Sequence, residues 1–258
     1  MMNSLLKVAA IATMFSTSAV ADTTFVNTGS DSGGFNTVLN MLNKSIEGDF
    51  IQAGNPVLAS SHFDKGNVVT MWSTEWPGDS SLPKPDINAD TIIALQTYET
   101  VMCSRKFTSL EEMSGTVKVA TWGDAPAVNK FLSTLGFDNG IKFEVVPYEG
   151  SGGTTRGYLG GDADTIFTIQ TRQSKIETDG KCFAFSANGD LDFAFIDIIL
   201  SVNASPENVT LYRDTVNSLS STEAWLTSFE GTVTYVVDDT NAEDIVSKTN
   251  NAIKLNIN

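Results

Sequence analysis

Three times along this chain a run rich in β-branched residues ends in a turn of small residues, and apolar residues at helical spacing follow. In the first unit Thr23–Asn27 reads as a strand, Thr28-Gly29-Ser30-Asp31-Ser32-Gly33-Gly34 as a turn, and Phe35, Val38, Leu39, Leu42 and Ile46 as one face of a helix. In the second, Thr116–Thr121 alternates as a strand, Thr121-Trp122-Gly123-Asp124-Ala125 turns, and Pro126 sits in the first turn of a helix that ends near Gly136. In the third, strand Lys142–Tyr148 meets Glu149-Gly150-Ser151-Gly152-Gly153-Thr154, then helix Gly152–Leu159 and strand Ala163–Ile169. Strands alternating with helices at this spacing predict an α/β protein with a mostly parallel sheet covered on both faces.

Between and beyond these units, Val68–Trp72, Thr91–Leu95, Glu99–Ser104 and Lys181–Ser186 read as strands, and Thr108 with Glu111 as a capping box. After Ser186 a long apolar segment, Leu191–Val202, precedes helices starting at Ser205-Pro206 and at a capping box from Ser220 to Glu223. Strand Thr232–Val237 and a terminal helix from about Asn241 complete the chain. There is no internal repeat and no low-complexity linker. A chain that builds one α/β unit, crosses into a second and returns therefore joins its lobes by at least two strands, with crossings expected at Glu99–Ser104 and Phe195–Val202. The expected division is 22–104 plus 199–258 for the first lobe and 105–198 for the second.

The first 21 residues stand apart. Lys7 precedes an apolar stretch, Val8–Ser18, and then Ala19-Val20-Ala21, an A-x-A-like cleavage site. Residues 1–21 are expected to be a signal peptide, because the apolar run is well short of the roughly 20 residues a membrane span needs. No cysteine follows the cleavage point, so a lipid anchor is not expected. Export permits oxidation, and Cys103 and Cys182 are expected to form a disulfide, although buried thiols are the alternative. Neither they nor the lone His62 has the paired spacing of a metal site.

The formal net charge is −15. Such a chain repels nucleic acid and anionic lipid, and neither is an expected partner. It also repels anionic solutes at long range, so donors in a site must outweigh the field; a zwitterion escapes the difficulty.

The turns lack both G-x-G-x-x-G and G-x-x-x-x-G-K-[ST], so no nucleotide cofactor is expected. His62 has no G-x-S-x-G elbow to serve, and Asp162/Asp164 and Asp190/Asp192 are spaced as neighbours on solvated edges. Enzymatic chemistry is therefore not expected. Each small-residue turn alone is explained by turn formation. Three together, all at the carboxyl ends of strands and at helix N-termini with unpaired N–H groups, point to an anion-binding cleft.

The segment Val146-Pro-Tyr-Glu-Gly-Ser-Gly-Gly-Thr-Thr-Arg-Gly-Tyr-Leu-Gly-Gly-Asp-Ala-Asp-Thr-Ile-Phe167 resembles the tripartite tricarboxylate transporter (TctC/Bug-type) solute-binding proteins. That family shows V-P-Y-K-G, small residues opening a helix, and L-x-G-G-x-V-D before an apolar strand. Asn27–Gly34 stands where it has a P-G-G loop, and Gly180-Lys-Cys-Phe-Ala-Phe resembles its G-K-L-R-x-L-A strand. There are departures: Ser32 replaces a proline, Glu149 a lysine, Thr37 an aspartate, and the chain is short for the family.

The resemblance implies a monomeric periplasmic protein with a two-lobed periplasmic-binding-protein (Venus-flytrap, type II-like) fold and hinge strands. It would close on a small carboxylate and deliver it to integral membrane transporter subunits. The expected contacts are Thr28, Ser30, Gly33 and Gly34 from one lobe. From the other they are Thr121, Asp124, Ala125, Tyr148, Ser151, Gly152 and Thr154, with Asp124 alternatively only a helix cap. Arg156 either neutralises a carboxylate or faces solvent. Competing readings are a binding protein of another transporter class for an amino acid or phosphate, a sensor subunit, and an exported hydrolase.

Overall fold

The central strands carry buried residues at successive positions, so each can be covered on both faces, and the chain builds two such sheets. The computed structural model describes residues 22–74, 85–123, 126–177, 180–184 and 196–257. The expected signal peptide, Asp124 and Ala125 lie outside them, as do the ends of the strands expected at Lys181–Ser186 and Leu191–Val202.

The chain opens with β1 (Thr23–Asn27), α1 (Gly34–Ile46), β2 (Asp49–Gln52), α2 (Pro56–Ser60) and β3 (Asn67–Ser73). Next come β4 (Ile92–Tyr98), β5 (Thr100–Ser104), β6 (Gly115–Thr121), α3 (Pro126–Asn139), β7 (Ile141–Pro147) and α4 (Gly150–Gly160). Then follow β8 (Thr165–Ile169), α5 (Gln173–Ile176), β9 (Lys181–Ala184) and β10 (Ile196–Val202), and last α6 (Pro206–Ser220), α7 (Glu223–Ser228), β11 (Thr232–Val236) and α8 (Ala242–Ile257). One sheet has the order β11-β4-β10-β3-β1-β2 and the other β7-β6-β8-β5-β9.

Successive residues of a strand point to opposite faces, and both faces of each sheet are covered. On the first sheet Phe25, Val69, Met71 and Ile199 pack beneath α1, α6 and α7 through Leu39, Leu42, Tyr212 and Trp225. Their neighbours Val26, Val68, Trp72 and Ile198 turn to the other face, where Ala59 of α2 and Ile245 and Ala252 of α8 close over them. On the second sheet Val117, Val119 and Phe167 pack with Val128 and Leu132 of α3, while Ala120 and Ile166 pack with Tyr158 of α4. A fully buried apolar side chain of this size stabilises by about 1.5–3 kcal/mol.

The expectation of a mostly parallel sheet is corrected. Only β1 with β2 and β3, and β6 with β7 and β8, are parallel; β10 with β3 and β4, β11 with β4, and β5 with β8 and β9 are antiparallel. The parallel pairs are the βα units that sequence periodicity detects. The outgoing strand β4 and the returning strand β10 lie side by side, so they run in opposite senses.

The outgoing crossing falls at the first residue of the expected Glu99–Ser104, while the strands on either side are assigned differently from the expected division. Thr100–Ser104, expected in the first lobe, belongs wholly to the second sheet, and β10, expected to straddle the boundary, belongs wholly to the first. The outgoing crossing is the single residue Glu99. Its N–H donates to the Gly231 carbonyl (3.4 Å) on the first-sheet side, and its carbonyl accepts from Gln170 N–H (2.9 Å) on the second. Gly231 has φ +76°, a conformation that favours glycine, and a Cβ there would stand 2.1 Å from Gln170 Oε1, so that side chain would have to move. The return lies between Ala184 and Ile196.

Two helix starts shift by a residue or two. Thr108 donates from both N–H and hydroxyl to the Glu112 carboxylate (2.8 Å each) rather than pairing with Glu111. Thr222, not Ser220, caps α7 by accepting from Trp225 N–H (3.3 Å).

Cys103 and Cys182 are register partners on β5 and β9 and are disulfide-bonded, closing a separation of 79 residues. Asp164, just before β8, accepts from Lys106 Nζ and from Lys118 N–H (3.3 Å). The Lys106 hydrogen bond chiefly holds its carboxyl below the ordinary 3.8.

Two outcomes follow for stability. Replacing both cysteines by alanine should lower unfolding free energy by about 2–4 kcal/mol in urea titrations under oxidising conditions, because β9 is an edge strand whose one neighbour is β5. Asp164→Asn should cost about 1 kcal/mol or less at neutral pH, since Lys106 is largely exposed. A carboxyl with a depressed folded value stabilises above its unfolded value and loses that contribution as pH falls through the folded one. The gap between parent and Asp164→Asn should therefore close on acidification below 3.8, and urea midpoints at the two pH values check it.

Candidate ligand-binding site

The carboxyl ends of β1 and β7 each lead straight into a helix, and these two helix starts, one from each sheet, line the same cavity of about 630 Å3. On the first-sheet side the wall is the turn Thr28–Gly33 with Gly34 and Phe35 of α1, then Gly54–Pro56, Ser73, Tyr98 and Asp197. On the second-sheet side it is Trp122, Gly123, Tyr148 and the run Glu149–Gly153, together with Arg156, Ile169 and Arg172.

The first turn is shaped by Asn27. Its Nδ2 donates to the Ser30 carbonyl (3.3 Å) and to Gln52 Oε1 (2.7 Å), and its Oδ1 accepts from Gly29 N–H (3.0 Å). Gln52 Nε2 returns a bond to the Gly29 carbonyl (2.8 Å). The buried Asn27 and the exposed Gln52 thus hold the turn without using the amides that open α1. Gly33 at the N-cap supplies no side-chain acceptor, and neither does Glu149 at the start of α4. Uncapped N-termini leave N–H groups and partial positive charge directed along the helix axis, which suits an anion. By contrast Asn55 caps α2 through Leu58 N–H (2.9 Å), so that short helix offers less.

Two guanidinium groups reinforce the second-sheet wall. Arg172, in the single turn that follows β8, donates from Nε to Ser151 Oγ (3.2 Å), which fixes both side chains at the mouth of α4. Arg156 stands nearly two turns into α4, exposed, and lines the cavity. Tyr148 is held differently. Its ring lies across α4 where a Cβ on Gly157 would come within 2.2 Å of it, and its hydroxyl donates to Asp162 Oδ2 (2.9 Å). Burial first, and then Asp162, raise the phenol above its ordinary value, so it stays protonated near neutrality. Trp122 stacks on Phe167 at 5.3 Å between ring centroids.

Of the residues expected at the ligand, Thr28, Ser30, Gly33, Gly34, Tyr148, Ser151 and Gly152 line the cavity. Thr28 does so with its hydroxyl committed to the Met71 carbonyl (2.6 Å). Thr121 and Thr154 are corrected: both are buried away from the cavity, donating to the Gly123 carbonyl (2.8 Å) and the Gly150 carbonyl (2.9 Å). A hydroxyl beside a tight turn or one turn into a helix finds a local carbonyl sooner than a ligand. Asp124 and Ala125 lie outside the described residues.

The expectation missed Trp122, Tyr98, Arg172 and Asp197. Arg172 follows a strand end as the three turns do, and Asp197 is a charge inside an apolar run; both were readable signals.

The chain matches no family model and no curated protein sequence. It is similar in structure to MatC from Rhodopseudomonas palustris with bound malate, at TM-score 0.61 and 12% identity, over 93% of this chain and 98% of that one. A second R. palustris protein, with adipate, superposes at TM-score 0.63 and 10% identity, over 91% and 96%. A TctC solute-binding protein from Polaromonas gives TM-score 0.57 and 14% identity, over 92% and 98%. At these identities the likeness is one of fold, and the chain is an α/β protein with the two-lobed architecture of periplasmic binding proteins. Several of its structural neighbours are TctC/Bug-type binding proteins.

The packing of two glycines of α4, Gly152 in its first turn and Gly157 two turns in, differs enough to be tested. Gly157→Ala should destabilise by about 1–3 kcal/mol, because the added carbon collides with the Tyr148 ring. Gly152→Ala meets nothing nearer than Arg156 Nη1 at 3.8 Å and should be neutral or stabilising by up to about 1 kcal/mol. Urea unfolding of the two variants separates them.

Proposed function

We propose that the protein is an exported solute-binding protein of the tripartite tricarboxylate kind. It captures a small carboxylate-bearing solute between its two lobes and presents the closed, liganded shape to membrane transporter subunits. The observation that carries this reading is the convergence of two uncapped helix N-termini, from opposite sheets, on one cavity that also holds Arg156 and Arg172. The neighbours' malate and adipate support a carboxylate as the ligand class.

In this reading the lobes are the two sheets with their helices, divided at Glu99 and between Ala184 and Ile196. The contacts are the turn Ser30–Gly34 on one side and Ser151, Gly152 and Tyr148 on the other. Closure removes water from the cavity, and each N–H and guanidinium then acts through a lower effective dielectric. No side chain in it is asked to break or form a covalent bond. The protein acts in the periplasm as a monomer, after loss of residues 1–21.

A thermal-shift screen of the purified protein against carboxylates, amino acids and phosphate tests the reading. A ligand of the native state at about 100 times its Kd adds about 2.7 kcal/mol, which for a chain of this size raises Tm by about 5–10 °C. Gly152→Val, at a lining position where an added Cβ meets nothing nearer than Arg156 Nη1 at 3.8 Å, should keep the parent's unliganded Tm and lose the shift. A flat screen, with turnover of ester or glycoside substrates, would replace capture by hydrolysis.

A further inference from the structure

Two arginines border the cavity on the second-sheet side, and they are held differently. Arg156 is exposed, and its guanidinium reaches back over the first turn of α4: a Cβ at Gly152 would meet Nη1 at 3.8 Å, and one at Gly153 would meet Nη2 at 4.0 Å. Among the described residues no hydrogen bond or ion pair fixes it there. Arg172 is half-buried, and its backbone and its head are both tied down. Its turn, Gln170–Arg172, opens with the bond from Gln170 N–H to the Glu99 carbonyl (2.9 Å) and runs into α5, whose Ile176 is fully buried. At the other end of the side chain, Nε donates to Ser151 Oγ (3.2 Å).

That last bond decides what the guanidinium can still do. Its five N–H donors lie in one plane, and a carboxylate takes two of them side by side, either Nε with one Nη or the two Nη together. With Nε given to Ser151, the edge left for a carboxylate is the Nη pair. A carboxamide of the same shape presents one oxygen and one N–H2 to that edge, and its N–H2 meets donors. The N–H groups at the helix starts make less of this distinction, because each can donate to the oxygen of either group. An arginine already held also gives up less side-chain freedom when a solute arrives than one that must first be ordered. A half-buried charge, moreover, acts through less water than an exposed one.

We infer that Arg172, rather than Arg156, is the residue that selects a carboxylate over an uncharged group of the same shape, and that Ser151 is the positioning residue that aims it. This rests on the capture reading above and assigns the site's discrimination to one side chain. Ser151 acts through its Oγ, which holds Nε and turns the Nη pair toward the space both residues line.

Isothermal titration of the purified protein with malate, succinate, glutarate and adipate, each against its diamide by competition, tests the assignment. The readout is the ratio of diamide Kd to diacid Kd, which a merely structural loss leaves unchanged because it weakens both probes alike. Arg172→Gln should lower that ratio about tenfold or more. Arg156→Gln should lower it less than about threefold, as expected of an exposed charge that must be ordered on binding. Ser151→Ala should lower it about threefold or more in the parent and no further in the Arg172→Gln background, because an effect that passes through Arg172 disappears with it. A ratio that falls as far with Arg156→Gln as with Arg172→Gln, or a Ser151→Ala effect that persists in full without Arg172, would overturn the inference and leave capture standing. A parent that binds none of the diacids would end the carboxylate reading and this inference with it. Should Arg172→Gln not fold, Arg172→Lys decides in its place. It keeps a charge but has one nitrogen for both tasks, so the ratio should still fall about threefold or more, and an unchanged ratio overturns the assignment.

Discussion

The opening N–H groups of α1 and α4 find no side-chain acceptor, and each helix begins where a parallel βα unit delivers it, at the carboxyl end of a strand. A strand-to-helix turn in a parallel unit must bring its helix back over the sheet, so the helix start is forced to the strand's carboxyl end whatever the turn's sequence. What the sequence adds is the missing cap. Gly33 and Glu149 stand where Ser, Thr, Asp or Asn would close the helix locally, as Asn55, Ser205 and Thr222 do for α2, α6 and α7. Of the capped helices only the short α2 reaches the cavity, through Asn55 and Pro56. The cavity is thus made of backbone left unsatisfied by choice of residue, and the arginines are placed around it.

The same constraint explains the treatment of side chains near those starts. Asn27 and Gln52 bond to each other and to backbone at Gly29 and Ser30, and Arg172 bonds to Ser151. None of these bonds caps α1 or α4. They fix the loops' shape from behind, so the donors keep their direction whether or not anything occupies the space. Tyr148 extends the pattern: its hydroxyl reaches past α4 to Asp162, and the absence of a Cβ at Gly157 lets its ring lie flat against the helix.

Much of this was legible beforehand, for a physical reason. Strand periodicity and the glycine-bearing turns are local properties, so β1, β6, β7 and the helices after β1 and β7 were readable, and with them most of the residues that line the cavity. What failed depended on partners distant in sequence. Thr100–Ser104 reads as a strand, but its sheet is set by its pairing with β8 and β9, which no local pattern encodes. The short β2 carries only two partly buried apolar residues, Phe50 and Ile51, too few to alternate visibly. Thr121 and Thr154 have the right chemistry for a ligand but a nearer carbonyl, and composition cannot tell the two apart.

Glu99 bears on how such a cavity could close. Between Tyr98 of the first sheet and Thr100 of the second there is one residue, and its two backbone bonds face opposite sheets. A rotation of one sheet against the other that bent the chain there would lengthen one of those bonds unless Gly231 or Gln170 moved with it. Gln170 packs directly against Gly231, so a side chain there would have to displace it. The last helix adds a second tie, because α8 packs on the first sheet and also touches α3, which belongs to the second. A rotation between the sheets that kept this contact would be narrower than Glu99 alone allows. Glu99 lies between Tyr98, which lines the cavity, and Gln170, whose neighbour Ile169 also does. A pivot at Glu99 would thus lie at the cavity's own edge, and a rotation about it would move the opposed helix ends in proportion to their distance from it.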